Sequence, residues 1–319
     1  LLSRPIPWFT NVNVHAAVFL LLICYSSPGL TQTYVSGPID SDTTWELSGS
    51  PFVIQDDISV SSGASLTIAP GVIVKFRNHT GSATSASYYE RIVVGGALVA
   101  DGTPEQPIIF TSLADDSYGG DTNGDGNASE PLVGDWAGLY FAESSTHSLL
   151  DNVVLKYAGG HSGNYALNIR SSSVTVSNSE ISYNSGSAFY IYYAHPEIRD
   201  SIISHNGNGI ELTESNPTIA DNSISQNLGH GIKSGQYDTR SQPVITGNAI
   251  TGNGGVAVDL QDPDAVGYFS NNVVSGNGTN AIRILGGSLD TSANWNTTDA
   301  AYLIYDSITV AQGATLTLG

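Results

Sequence analysis

The sequence predicts an all-β chain wound as a solenoid of short strands. Three observations carry that prediction. Apolar and polar residues alternate in short runs separated by Gly, Asn, Ser and Pro. Period-two alternation of this kind places every second side chain on one buried face. From about residue 35 onward no run has the i, i+3, i+4 spacing of an amphipathic helix. A related segment also recurs at intervals of roughly 23 residues, the length of one coil and not of one domain.

Composition agrees. The chain has 319 residues, enough for one large domain or two ordinary ones. Only 12% are charged, while Gly numbers 35 and Pro 13, a balance suited to a turn-rich β protein. Hydrophobic residues make up 40%, too many, and too regularly spaced, for a disordered chain. Ten Lys and Arg stand against 29 Asp and Glu, a net charge of −19. Such a chain repels phosphate backbones, so nucleic acid is not an expected partner. The one cysteine, Cys24, leaves no intrachain disulfide to form.

At the N-terminus, "AAVFLLLIC" (16–24) is too short to span a bilayer but suits the apolar region of a secretory signal, with Arg4 upstream. Reading it as a buried strand is the alternative. A lipid anchor on Cys24 needs a small residue before it, and Ile23 is not small. With no methionine in the sequence, the natural start is expected upstream. Residues 1–32 are therefore read as a targeting segment, and the chain as secreted or cell-surface and not integral to a membrane. The β domain is expected over 33–289.

Its first coils are "DISVSSGASLTIAPGVIVKF" (57–76), "RIVVGGALVADGTPEQPIIFTS" (91–112) and "GDWAGLYF" (134–141). Gly63, Gly71, Gly95 and Gly96 fall where tight turns take positive φ. Pro70, Pro104 and Pro107 fall where no ladder N–H is needed. A cap over 34–57 is expected to cover the first sheet edge.

The repeats proper align on Asn184, Asn206, Asn227, Asn253 and Asn277, separated by 22, 21, 26 and 24 residues. Tyr157 takes the same slot one coil earlier. Each has an apolar residue three positions before it and inward residues after it, in pairs such as Phe189/Ile191, Ile210/Leu212, Val256/Val258 and Ile282/Ile284. One coil cannot bury these alone, but stacked coils share a core and pair their backbones. An asparagine at a bend can bond the backbone and its stacked neighbour, and it tolerates left-handed angles.

These repeats resemble the right-handed parallel β-helix repeats of the pectin lyase-like superfamily, strongly over 150–285. The first coils resemble those of its secreted bacterial members. The resemblance implies a right-handed parallel β-helix with an N-terminal cap. It also implies that sugar polymers would lie across the outward face of the longest strand stack. On that face the repeat alignment places Asn168, Tyr190, Glu211, Lys233, Ala257 and Arg283 in one column. Arg170, Tyr192, Thr213, Gly235, Asp259 and Leu285 form the next. Tyr190 and Tyr192 could stack on pyranose rings, with Arg170, Glu211 and Lys233 beside them. The competing reading of the face is a solvated mixed-charge surface.

Two histidines invite a catalytic reading. "GHGIK" (229–233) is similar to a motif of pectin hydrolases, which need an acidic pair one coil earlier. Here Asn208-Gly209 stand in that place. Gly231-Ile232 also share a repeat slot with Gly209-Ile210 and Gly255-Val256, so the unit reads as coil geometry. His195 precedes a turn proline, as Asn216 and Gln242 do, which marks a structural position. No matched carboxylate pair is visible, and no residue is expected to be catalytic.

In "DDSYGGDTNGDGNASE" (115–130), Asp121, Asn123 and Asp125-Gly126 open like a calcium loop. The twelfth position is Leu132, not Glu. Two readings stand: a structural Ca²⁺ on Asp121, Asn123, Asp125, Asn127 and Glu130, or a solvated acidic insertion without an ion. Asn78, Asn127, Asn277 and Asn296 begin glycosylation sequons.

A longer repeat closes the chain. Shifted by 250 positions, Trp45 meets Trp295, Asp56 meets Asp306, Ile58 meets Ile308, Gly63 meets Gly313 and Leu66 meets Leu316. Residues 290–319 are read as the start of a second module, or else as closing coils. Two functions stand open. One is a non-catalytic scaffold or adhesin-like module binding extracellular or cell-wall polysaccharide. The other is a polysaccharide lyase, glycoside hydrolase or epimerase using Tyr190, Tyr192, Tyr193, His195, Glu211 and Lys233.

Overall fold

A computed structural model describes residues 32–77, 90–160, 165–171, 173–235 and 241–319. The expected targeting run with Cys24, and Asn78, lie outside them. The described residues form parallel strands wound into one solenoid, with two short 3₁₀ turns.

Each coil has three walls. In the regular region the long wall is Gly138–Phe141, Tyr165–Ile169, Ser187–Tyr192, Asn208–Thr213, Ile232–Ser234, Val256–Leu260 and Thr279–Ile284. The short wall runs from Val153–Lys156 through Glu180–Ser182 and Ile202–Ser204 to Val273–Ser275. The back wall runs from Ser148–Asp151 through Val174–Ser177 to Phe269–Ser270.

Alternation within each strand puts one apolar column on the inside of each wall. Along the long wall Ile92, Leu139, Leu167, Phe189, Ile210, Ile232, Val258 and Ile282 stack in register. The short wall stacks Leu155, Ile181, Ile203, Ile224 and Ile250. The back wall stacks Leu150, Val176, Ile198, Ile219 and Ile245. All are essentially fully buried, and each contributes about 1.5–3 kcal/mol of burial.

The corners are polar and buried. Between short and long walls, the Asn184 amide donates to Asn206 Oδ1 (2.8 Å), Asn206 to Asn227 (3.1 Å), Asn227 to Asn253 (2.9 Å) and Asn253 to Asn277 (2.9 Å). A second column, not singled out in the sequence, joins Asn222, Asn248 and Asn272 between back and short walls. The asparagines do not themselves take left-handed angles. The residue just before each does: Tyr183, His205, Gln226, Gly252 and Gly276 in one corner, and Asp221, Gly247 and Asn271 in the other.

The glycine expectations divide. Gly63 and Gly71 have φ of 86° and 79°. Gly95 and Gly96 do not turn left-handed. They are needed for closeness, since a Cβ on Gly96 would lie 2.1 Å from the Ala64 carbonyl oxygen. Much of the expected cap segment, 34–57, serves as the first coil. Thr33–Ile39 pairs with Phe52–Val60, and Trp45 stacks on Phe52 at 4.8 Å over that end of the core.

Candidate binding face

The outward side of the long wall gathers all five sequence-predicted binding residues on neighbouring rungs. One column reads Tyr140, Asn168, Tyr190, Glu211, Lys233, Asp259 and Arg283, in register. Asp259 stands where the repeat alignment put Ala257. The strand pairs two residues later than the alignment placed it, with Val258 and not Val256 opposite Ile232, so Ala257 falls in the slot of Gly231 and is fully buried. The inward pair there is Val258/Leu260, aligned with Ile282/Ile284, and not Val256/Val258.

The face is aromatic at one end. The Tyr165 ring lies 4.3 Å from Tyr190 with 10° between planes. Tyr190 and Tyr192 are 6.0 Å apart, and Tyr193 meets Tyr192 edge-on at 4.4 Å. Arg170 leans over this group, its guanidinium carbon 4.6 Å from the Tyr192 ring and 5.7 Å from Tyr140. Among the described residues no carboxylate pairs with Arg170. Its Nε, and the neighbouring Asn168 Oδ1, are buried without a hydrogen-bond partner. Such atoms carry a desolvation cost that a ligand can relieve.

The other end is ionic and self-neutralised. Lys233 Nζ is 3.2 Å from Glu211 Oε2, which also accepts from Ser187 Oγ at 3.0 Å. Arg283 Nε donates to Asp259 Oδ1 at 2.8 Å. Burial, then the Glu211 charge, then Tyr190 push the Tyr165 phenol up to about 12, so it stays protonated and is a poor base at neutral pH. Tyr140 and Tyr165 were missed from sequence because they fall outside the asparagine repeats, and Asp259, expected in the neighbouring outward column, stands opposite Lys233.

The histidines have structural partners. His230 Nδ1 accepts the Val256 N–H at 3.0 Å, and its backbone N–H donates to Asn208 Oδ1 at 2.9 Å. Burial is the main reason its pKa is lowered, helped by Arg283 and Lys233 against Asp259. His195 Nδ1 accepts the Asn216 N–H at 3.0 Å. It borders a recess of about 430 Å³ with His147 and Glu197 at the back wall, away from Tyr190 and Glu211.

The acidic insertion packs over a buried lysine. Lys75 is fully buried, and its ammonium donates to the Asp115 and Gly120 carbonyls, both at 2.9 Å. Burial lowers its pKa, and Asp115, Asp116 and Asp121 counter that. Asp121 accepts backbone N–H groups from Gly124, Asp125 and Gly126 at 2.8–3.0 Å. Carboxylate oxygens of Asp116, Asp121 and Asp125 lie within 4.8 Å of one another, and Asp116 Oδ1 is buried without a partner. That oxygen set suits a hard divalent ion. Asp116 joins Asp121 and Asp125 in place of Glu130, which lies outside the group. Asn123 spends its amide on Asp125 and Ser129, both at 2.9 Å, and Asn127 is exposed.

Three-walled coils, shared apolar columns and an open outward face define a parallel β-solenoid protein. The chain belongs to the right handed beta helix region family, matched over residues 137–298. Residues 37–141 match the pectate-lyase like beta helix domain. Over 92 residues it is 35% identical to Protein bark beetle of Drosophila melanogaster, covering 27% of this chain. It spans only 3% of that protein's length. Among solved structures it is similar to the periplasmic alginate epimerase AlgG, with a TM-score of 0.35, 12% identity, and 90% and 78% of the two chains covered. The enzymatically active domain of Bacteriophage CBA120 tailspike protein 2 gives 0.32, 10%, 86% and 47%. The Azotobacter vinelandii mannuronan C-5 epimerase AlgE6 A-module gives 0.27, 14%, 89% and 90%. Among the described residues no helix is long and apolar enough to cross a membrane.

Proposed function

We propose that the protein is a secreted or cell-surface module that binds polysaccharide along the long wall without cleaving it. The tyrosine platform with Arg170 carries this reading. Tyr165, Tyr190 and Tyr192 offer a ledge of rings on adjacent rungs, and rings of this kind stack on the apolar faces of sugars. Arg170 adds donors with no carboxylate to satisfy among the described residues. Lack of turnover follows from the partners already taken. Glu211 and Asp259 are each tied to a cation, and His230 and His195 each spend Nδ1 on the backbone.

A glycan array read together with a degradation screen tests this. Binding with no new reducing ends or unsaturated products is expected. Turnover lost in Glu211→Gln would instead support an enzyme. One observation favours that second reading: Glu211 and Asp259 share a column with only Lys233 between them. At roughly 4.8 Å per rung they stand on the order of 10 Å apart, close to the spacing of inverting glycosidases.

A structural Ca²⁺ held by Asp116, Asp121 and Asp125 is part of the same proposal. Millimolar Ca²⁺ is expected to raise the melting temperature, and Asp121→Asn to abolish the rise. No rise in the parent chain counts against the ion and leaves Lys75 as the buried cation under the loop.

A further inference from the structure

Residues 287–319 reproduce residues 37–69 pair for pair. Gly37, Pro38 and Ile39 pair with Ile58, Ser59 and Val60, and Gly287, Ser288 and Leu289 pair with Ile308, Thr309 and Val310. Thr43, Thr44 and Trp45 pair with Leu66, Thr67 and Ile68, and Ala293, Asn294 and Trp295 with Leu316, Thr317 and Leu318. Every one of these positions is offset by 250.

Bonds outside the ladders follow the same offset. Ala69 N–H donates to the Trp45 carbonyl at 3.0 Å, and Gly319 N–H to Trp295 at 3.1 Å. Ser65 N–H donates to the Asp42 carboxylate, and Thr315 N–H to the Ser292 hydroxyl, both at 3.0 Å. Trp45 stacks on Phe52 at 4.8 Å and Trp295 on Tyr302 at 5.2 Å. Gly63 and Gly313 turn at φ of 86° and 91°. Sequence likeness alone suits any closing coil, but the same ladder pairs at 287–289 and 293–295, matching bonds and the same ring stacking do not.

The copies differ in what lies over them. Ile54, Val60 and Ile68 are at most 1% exposed, under the strands Ile73–Phe76, Arg91–Val94 and Ala97–Asp101. Their counterparts Ile304, Val310 and Leu318 are 52%, 42% and 68% exposed. They sit on a rung whose strand edges and side chains are set to receive one more coil.

The underside is already joined. Ala281–Ile284 pairs with Ala301–Ile304 where Thr33–Val35 pairs with Phe52–Ile54, with the register one residue different, since Tyr302 faces Ile282 and not Arg283. The last strand of the long wall therefore serves the second copy as the entry strand serves the first.

We propose that residues 287–319 are the opening coil of a second module of this same kind. Their uncovered rung seats the tandem counterparts of residues 70–101, stacked on the first module with no linker. One further feature follows. Phe52–Ile54 leads into the short wall of the first module through Ile73–Phe76. Ala301–Ile304 sits instead on the long wall of the first module. The long wall of one module thus continues as the short wall of the next, and successive binding faces are displaced one wall around the axis.

The test extends the full chain after Gly319 with its own residues 70–289, which restores the 250-residue register. A control carries a flexible Gly-Ser linker at that junction. Backbone exchange at 301–318 is followed by mass spectrometry in both, and in the unextended chain. Direct extension is expected to slow exchange there by about 100-fold or more, and the linked control to leave it unchanged. Small-angle scattering is expected to show one stiff rod. Unchanged exchange in the direct extension, or equal protection in the linked control, overturns the proposal. If the long extension is insoluble, one ending at Ser112 reads the same amides, with the same outcomes deciding.

Discussion

His230 acts as a hydrogen-bond acceptor toward the Val256 N–H of the next coil, and that fixes it in the neutral form. Its pKa is lowered from the ordinary 6.5, mainly by burial. The unfolded chain takes up the proton near 6.5, and the folded chain only at lower pH. The stability His230 contributes is therefore whole above pH 6.5 and declines as pH falls below it. His230→Asn should flatten this part of a melting-temperature profile between neutral and mildly acidic pH. An unchanged profile would remove His230 from the account. Gly-His-Gly was legible as coil geometry because sister coils fill the same slots. That Gly231 is needed for closeness was not legible: a Cβ there would meet the Ala257 oxygen at 2.6 Å and Ile250 Cγ2 at 2.7 Å. Such contacts join residues in different coils, and no local pattern encodes them.

At the scale of the element, the buried asparagine columns do what strand pairing cannot do at a corner. Asn227 accepts from both the Asn206 N–H and its amide, and donates to the Ile203 carbonyl and to Asn253. Asn227→Ala strands those groups out of water. A loss of about 3 kcal/mol is expected in urea unfolding. Asn277→Ala, at the end of the column, should cost distinctly less, and equal losses would mean the column is not a connected unit. The recurrence of these residues was visible because the coil length is nearly constant. The second column at Asn222, Asn248 and Asn272 was equally periodic but was absorbed into the alignment without a role. Asp259 was placed one column too far along the outward face, because the likeness of Gly255-Val256 to Gly231-Ile232 set that strand two residues early, a slip that keeps the face but changes the column. Asp116 was missed because calcium-loop spacing begins at Asp121. It is chain reversal, with Lys75 beneath, that brings Asp116 alongside.

The whole molecule is close to one-dimensional, since each coil touches only its neighbours. Stability should therefore be highest in the middle and fade toward exposed rungs. Hydrogen exchange is expected to be slowest around Asn206–Asn253 and fastest over 301–318, where Ile304 and Leu318 are open to solvent. Uniform protection would contradict a stack of semi-independent coils. The fold class was legible at this scale because period and alternation repeat many times. The face was legible only in part. Arg170, Tyr190, Tyr192, Glu211 and Lys233 were found, but not that Glu211 and Lys233 neutralise each other or that Tyr140 and Tyr165 complete the platform. The central claim is that this platform binds glycan and does no chemistry. Titration calorimetry of the full chain with a polysaccharide selected on the array, run beside Tyr190→Ala and Arg170→Ala, tests it most directly. The account predicts saturable binding, weakened about tenfold or more by either change, equivalent to about 1.4 kcal/mol, with no product formed. Binding indifferent to both changes, or heat from continuing turnover, would contradict it.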